Sequence, residues 1–242
     1  MWSLGVEDPD DIDLDAIAWM RGVTVRYRPL KGCEARIFGD QGRAIVSINS
    51  ASSDQRNRFS LAHEIGHWEL HRGKVLFCRK EDIGGDKGGS AVEKAANQFA
   101  ASLLMPHYLF NGRRKGKSLT FGLVDDIARA FRVSRTAAAI RLIDTAEKPA
   151  MLICYSRVKR EWFHRSPQWP EELWPRDELD TRSRAFDIQF GGKPDNRVML
   201  TVPADAWFER FAAAPYDIKE STVSGGNANT LTLIEVEKVH HR

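Results

Sequence analysis

The stretch RFSLAHEIGHWELHRGK, residues 58–74, decides how the rest of the chain is interpreted. It contains the pentad His63, Glu64, Ile65, Gly66 and His67. Two histidines four residues apart lie on one face of a helix, about one turn apart, so both imidazoles can reach one metal ion. A carboxylate beside them can take a proton from a water molecule that the metal activates. The spacing therefore predicts a zinc site with Glu64 as the general base.

The alternative is a pair of surface histidines that share helical spacing by chance. The flanking residues argue against it, because they are apolar and predict a buried helix: Phe59, Leu61, Ala62, Ile65 and Trp68. A buried glutamate between two histidines costs free energy unless it has a partner. Gly66 lowers helix propensity, and we expect it to leave room for a close neighbour.

A catalytic zinc site needs a third protein ligand and one open position. His71 lies about 80° off the face of His63, so we interpret it as a helix C-terminal residue favourable to the dipole. Glu93, at the start of a second helix, is the better candidate, and Asn97 one turn later could orient a ligand. Alternatively, Glu93 only favours a helix N-terminus. Weaker rivals occupy the intervening loop: Glu81, Asp82 and Asp86.

The second helix is predicted from about residue 90 to Pro106, because its apolar residues recur with a helical period. Small side chains allow two helices to approach closely. We expect the two helices to pack antiparallel through Gly66, Ala96 and Ala100. A shorter helix is predicted near residues 10–21, with Asp10 or Asp11 as its cap.

Two phrases, RFSLAHEIGHWELH (58–71) and EKAANQFAASLLMP (93–106), together resemble the ImmA/IrrE family of zinc metallopeptidases. The resemblance implies that His63, His67 and Glu93 are the zinc ligands and that Glu64 is the catalytic base. It also implies an α+β fold with a gluzincin-like, zincin-like metallopeptidase domain, built from a small sheet and active-site helices. The motifs cover roughly residues 36–147.

Members of this family cleave helix-turn-helix repressors in stress responses or on mobile elements. Many carry a repressor-type DNA-binding domain of their own. This chain has no room for one before the hairpin predicted over residues 34–50, so we expect the repressor to be a separate protein. The alternatives are a DNA-binding regulator and a protein-binding module whose zinc site is not catalytic.

Residues around the zinc helix could also contact a substrate. The strand RAIVSINS, residues 43–50, could act as an edge strand that pairs with an extended substrate backbone. A purely structural strand is the alternative. Candidates for stabilising the oxyanion are Tyr27, Tyr108 and His107.

We predict three parts: a metallopeptidase domain over 1–117, a helix-turn-helix-like subdomain over 118–148, and an α+β, sensor-like domain over 149–242. Within the last part, a hairpin is predicted over 151–166 and a final strand over 231–237. The middle part predicts two short helices with a turn near residues 131–134. A DNA-binding role would place its second helix in the major groove. However, TAAAI offers methyl groups where base-reading side chains are needed. A structural or substrate-docking role is favoured over nucleic acid.

The composition is that of a globular chain: 242 residues, 42% hydrophobic and 29% charged, with a net charge of +3. This small charge argues neither for nor against nucleic acid. No signal peptide is visible, and no apolar stretch approaches the ~18 residues that cross a bilayer. Cys33, Cys78 and Cys154 are odd in number and widely separated, which fits a reducing compartment. We expect a cytoplasmic protein without a membrane partner; the oligomeric state is not predicted.

Overall fold

The computed structural model describes residues 5–40, 42–71 and 91–239. The helices are α1 (Leu14–Met20), α2 (Asp54–Leu70), α3 (Ala91–Leu104), α4 (His107–Arg114), α5 (Phe121–Ala130), α6 (Arg135–Asp144), α7 (Arg184–Gly191) and α8 (Arg210–Ala213). The strands are β1 (Val23–Arg28), β2 (Ala35–Asp40), β3 (Arg43–Asn49), β4 (Ala150–Tyr155), β5 (Arg160–Arg165), β6 (Asn196–Val202), β7 (Tyr216–Ser224) and β8 (Thr230–Val239). This content confirms the α+β fold class.

The chain divides into two compact units. The first comprises the described residues up to Lys115 together with Ile127–Ala137. The second comprises Gly116–Asp126 and the described residues from Ala138 onward. The domain bounds 1–117, 118–148 and 149–242 stay a prediction.

The first unit contains a three-stranded sheet in the order β1-β3-β2. β2 and β3 pair antiparallel, which confirms the predicted hairpin, and β1 pairs parallel to β3. β3 is therefore the central strand of the sheet. The edge-strand role predicted for residues 43–50 is wrong, because β1 and β2 occupy both sides of β3.

One face of this sheet is buried and packs against α1 and α2. On β3 that face carries Ala44, Val46 and Ile48, each at most 3% exposed. On β2 it carries Gly39, where a Cβ atom would lie only 2.8 Å from Cζ3 of Trp68. The absence of a side chain at Gly39 thus lets β2 approach the C-terminal half of α2.

The helix predicted near residues 10–21 begins later than expected. Asp13 is the N-cap of α1, and its side chain accepts a hydrogen bond of 2.9 Å from the backbone of Ala16. The expectation of a cap at Asp10 or Asp11 is wrong, because both belong to a preceding 3₁₀ turn that Asp8 caps.

The two short helices predicted after residue 118 are confirmed as α5 and α6. The turn between them places Arg132 in the left-handed region at φ 52°. Its guanidinium group lies 2.9 Å from the carboxylate of Asp54, in the first turn of α2.

The second unit is built on a five-stranded antiparallel sheet in the order β5-β4-β8-β7-β6. The hairpin predicted over 151–166 and the final strand predicted over 231–237 are confirmed by β4, β5 and β8. One sheet face packs on a large apolar cluster that includes Trp207 and Phe208. The sequence patterns missed β6, β7, α7 and α8.

A buried acid lies in this second core. Glu220 on β7 is fully buried and accepts hydrogen bonds from the Arg184 backbone, at 2.5 Å, and from Nε1 of Trp207. Burial raises its pKa to about 7 despite these two donors, which act in the opposite direction. Glu220 thus links β7 to the first turn of α7.

Two further expectations concern membrane-spanning helices and the state of the cysteines. Among the described residues, no helix has both the length and the hydropathy required to cross a membrane. Cys33 and Cys154 are buried and form no disulfide among the described residues, and Cys78 lies outside the described residues.

Candidate metal centre

Helix α2 carries the predicted site in its buried C-terminal half. The side chain of Ser53 caps the helix by accepting a hydrogen bond from the Arg56 backbone. Nine consecutive residues from Ser60 to Trp68 are buried. The prediction of a buried helix is therefore confirmed, and the alternative of two surface histidines is wrong.

Helix α3 packs along α2, and the expected antiparallel direction stays a prediction. His63 lies next to both Asn97 and Glu93, and His67 lies next to Glu93. A Cβ atom at Gly66 would lie 3.1 Å from Cδ1 of Phe99 and 3.2 Å from the backbone oxygen of Ala96. Gly66 therefore leaves room for a close neighbour, which α3 provides.

This packing gathers three candidate ligands into one group. Nε2 of His63 lies 2.9 Å from Nε2 of His67, and Oε2 of Glu93 lies 3.2 Å and 3.4 Å from these two nitrogens. The three residues meet the geometric requirements of a candidate metal site. Zinc bonds of about 2.0–2.1 Å in a tetrahedral arrangement place ligand atoms ~3.3 Å apart. The donor set and its spacing therefore fit a divalent metal ion, while the ligand assignment stays a prediction.

The second ring nitrogen of His63 is held from α3. Nδ1 of His63 lies 2.9 Å from Oδ1 of Asn97. If this oxygen accepts the Nδ1 proton, Nε2 keeps its lone pair and faces the carboxylate of Glu93. Such partners fix the tautomer and the orientation of a metal-binding histidine. This is the contact that the orienting role predicted for Asn97 requires.

His67 has a corresponding contact that sequence reasoning missed. Its Nδ1 lies 3.3 Å from Nδ1 of His71. His71 is not a member of the ligand group among the described residues, which agrees with its angular distance from His63. However, His71 lies four residues after His67, so its ring lies next to the His67 ring on the helix surface. The prediction that His71 only interacts with the helix dipole did not include this contact.

The electrostatics of the group favour a neutral His67 imidazole. Burial lowers the pKa of His67 to about 3, and the proximity of His63 and then His71 adds to the shift. His67 is therefore neutral near pH 7. A neutral imidazole is the form that binds a metal ion.

Glu64 lies between the two histidines in sequence and is fully buried, with 0% exposure. It is not a member of the ligand group of the described residues, which leaves it available for a different role. Its role as general base stays a prediction. The rival ligands lie outside the described residues: Glu81, Asp82 and Asp86.

The three oxyanion candidates make contacts of their own. The hydroxyl of Tyr27 donates a hydrogen bond to Asp15 at 3.0 Å. Burial, and to a smaller extent the negative charge of Asp15, raises the pKa of Tyr27. The hydroxyl of Tyr108 donates to the backbone oxygen of Val6 at 2.6 Å. His107, at the start of α4, lies beside the amide of Asn111. Both phenol protons are thus already used in hydrogen bonds.

Comparison with known proteins places the site within a recognised sequence family. Residues 20–143 match the family model described as the IrrE N-terminal-like domain, Peptidase_M78. The radiation response metalloprotease IrrE of Deinococcus radiodurans is 29% identical over 136 residues, or 56% of this chain and 41% of that protein. The protein of the same name from Deinococcus deserti is 29% identical over 141 residues, or 58% and 50%. The chain spans half or less of the length of these curated relatives.

A solved structure resembles a larger part of the chain. A Mycobacterium tuberculosis transcriptional regulator aligns with a TM-score of 0.55 over 94% of this chain and 81% of that one. The sequence identity is 17%, so this likeness concerns the fold alone. The family match confirms the resemblance inferred from the motifs at 58–71 and 93–106.

Proposed function

The chain belongs to the IrrE N-terminal-like peptidase family, Peptidase_M78, and on that premise we propose that it is a zinc-dependent endopeptidase. The observation that carries the proposal is the buried group of His63, His67 and Glu93, which lies within the family-matched segment. Two imidazoles and one carboxylate are the donor set of a catalytic zinc site with an open fourth position.

In this mechanism the Nε2 atoms of His63 and His67 and the Glu93 carboxylate would hold the ion. When bound, zinc acts as a Lewis acid that polarises a carbonyl group and makes water easier to deprotonate. The Glu64 carboxylate accepts one proton as the water oxygen adds to the peptide carbonyl carbon. It then delivers that proton to the amine nitrogen as the C–N bond breaks. Asn97 orients the His63 imidazole through the Nδ1 atom of that ring.

The substrate is proposed to bind in an extended conformation along β2 rather than β3. In the described sheet β2 pairs only with β3, so its opposite edge is available for an added strand. Gly39 on β2 packs against Trp68, the residue that follows His67. This places β2 next to the part of α2 that carries the histidines.

The proposed substrate class is a separate helix-turn-helix repressor, whose cleavage would switch genes in a stress response or on a mobile element. Family resemblance is the basis of this part of the proposal. Two similar proteins are named radiation response metalloproteases, which supports a stress-related role.

Zinc content tests the site directly. We expect about one zinc ion per chain in the wild type and in Glu64→Gln, and loss of zinc in Glu93→Ala. Glu69→Gln is a matched control on the same helix, because the Glu69 carboxylate lies 3.7 Å from Arg21 and is not in the ligand group of the described residues. Wild-type protein that takes up no zinc when zinc is supplied would refute the proposal.

Cleavage tests the chemistry. Host proteins are incubated with zinc-loaded wild type or Glu64→Gln, and new amino termini are identified by mass spectrometry. We expect a small number of new termini, in helix-turn-helix proteins, that depend on Glu64. Equal cleavage by Glu64→Gln would eliminate the role of Glu64 as base. Cleavage confined to other protein classes would refute the repressor substrate.

A further inference from the structure

The two histidines of the metal group differ in what holds their outer nitrogens. His63 is held by a carboxamide on α3, whereas His67 is held by another histidine on its own helix. His67 is 1% exposed, so water has little access to its ring. A buried ring N–H without an acceptor is unfavourable, because it has lost its hydrogen bonds to water. The partner of His67 Nδ1 therefore affects which tautomer the ring adopts.

We propose that His71 is a positioning residue that fixes His67 in its metal-binding tautomer; the inference rests on the proposed metal ligation. Nε2 of His67 faces His63 and Glu93, so this nitrogen must keep its lone pair to bind a metal ion. The single proton of the neutral ring is then on Nδ1. Nδ1 of His71, at 3.3 Å, accepts that proton in a hydrogen bond.

The geometry of α2 explains why His71 can do this and cannot replace a ligand. Residues at steps of four follow one stripe that turns slowly around the helix, by about 40° per step. The ring centroids of His63 and His67 are 4.5 Å apart, and those of His67 and His71 are 5.4 Å apart. His71 thus reaches the far side of the His67 ring, opposite the metal-facing nitrogen.

The end of the helix holds His71 in place. Its backbone N–H donates to the carbonyl of His67 at 2.8 Å and closes the last turn of α2. The same pair of residues is therefore joined twice, once through the backbone and once through the rings. A displacement of the helix end would alter both contacts.

The test uses two substitutions of His71, one that keeps a hydrogen-bond acceptor without the ring and one that keeps a ring without the acceptor. In His71→Asn, Oδ1 is bonded directly to Cγ, as Nδ1 is in histidine. It can therefore accept the hydrogen bond from Nδ1–H of His67. In His71→Phe the ring remains and the acceptor is lost. Zinc affinity of the full chain is measured by competition with a chelator of known affinity. Loss of an orienting partner typically weakens metal binding by about 10–100-fold.

We expect His71→Phe to bind zinc about 10–100-fold more weakly than the wild type, and His71→Asn to bind close to the wild-type level. The thermal unfolding of the three metal-free proteins should differ little, because the role is positional. Equal zinc affinity in His71→Phe and wild type would overturn the inference. Equal weakening in both variants would also overturn it, because ring packing would then be the cause.

Nitrogen NMR of the zinc-loaded protein gives a second measurement. We expect the His67 Nδ1 proton to exchange slowly with water in the wild type and in His71→Asn, because it is hydrogen-bonded, and to exchange faster in His71→Phe. Equal exchange rates in the wild type and His71→Phe would overturn the inference. A wild type that binds no zinc would overturn both this inference and the proposed function. Zinc binding that is insensitive to His71 would overturn the inference alone.

Discussion

Gly66 on α2 lies so close to Phe99 on α3 that a Cβ atom there would be 3.1 Å from the phenylalanine Cδ1. The backbone oxygen of Ala96 would be 3.2 Å away, and a backbone atom cannot move aside as a side-chain end can. This close approach is what brings the carboxylate of Glu93 to the two histidines.

The first prediction follows from this contact. Gly66→Ala should push α3 away from α2 and move Glu93 out of place, so zinc affinity should fall by about tenfold or more. The new methyl group adds helix propensity of about 1 kcal/mol, which offsets part of the strain. Chelator competition measures the affinity, and denaturant unfolding measures the stability.

Gly112 provides the matched control, because a Cβ atom there would meet nothing within 4 Å and the residue lies inside α4. Gly112→Ala should stabilise the chain by about 0.5–1 kcal/mol and leave zinc affinity unchanged. If Gly66→Ala were to behave like Gly112→Ala, the close approach of the helices would not matter for metal binding.

Metal removal should lower thermal stability. A ligand that binds only the folded state stabilises it by about 2.7 kcal/mol at a concentration of 100 Kd. Zinc should therefore raise the unfolding temperature of the wild type measured by calorimetry, and a chelator should reverse the rise. Glu93→Ala should show little of this shift. A shift that persists in Glu93→Ala would indicate binding elsewhere, for example at His240 and His241, which lie outside the described residues.

Asn97 should affect zinc affinity through its hydrogen bond with His63. Asn97→Leu removes the acceptor at 2.9 Å from Nδ1 of His63 and should weaken zinc binding by about 10–100-fold. Asn97→Asp keeps an oxygen in that position and should bind zinc more tightly than Asn97→Leu. Isothermal titration on the metal-free proteins measures the difference. Identical affinities in the two variants would show that the hydrogen bond does not orient the ring.

Glu220 should give the second unit a pH-dependent stability. Burial raises the folded-state pKa of this acid from 4.5 to about 7, so the folded state favours the protonated form. The stabilising contribution of Glu220 to the free energy of unfolding is fully present below pH 4.5 and decreases as the pH rises to about 7. Above that pH it no longer changes. At 1.36 kcal/mol per pH unit the loss is on the order of 3 kcal/mol.

Glu220→Gln lacks this titration. The free energy of unfolding of the wild type, relative to that of the variant, should therefore fall between pH 4.5 and about 7. Denaturant unfolding at a series of pH values measures this relative stability. A difference that is constant across this range would contradict the assigned cause.

The sequence came close to the helical part of the site because the relevant information is local. The spacing of His63 and His67, and the period of the second helix, depend on backbone geometry within a few residues. The hairpin of β2 and β3 is likewise short-range, and so are α5 and α6. The cap of α1 was misplaced by a few residues, because several neighbouring aspartates offer similar caps and only the backbone of the 3₁₀ turn distinguishes them.

The rest depends on contacts between residues far apart in the chain. β1 pairs with β3 across about 20 residues, and no local pattern shows that this pairing makes β3 central. β6, β7 and α7 were missed, because their stability comes from the shared core of the second unit rather than from a strong period. The contact of Glu220 with Trp207 is visible only once that core is assembled.

The sequence alone therefore determined the family, the donor types and the helical stripe that carries His63 and His67. Only the tertiary structure decided that Glu93 lies next to both imidazoles and that Gly66 permits the close approach of α3 to α2. The contact between the rings of His71 and His67 was likewise visible only in the structure. The physical reason is range: a helix fixes positions within one turn. The distance between two helices depends instead on which side chains, or which missing side chain, lie between them.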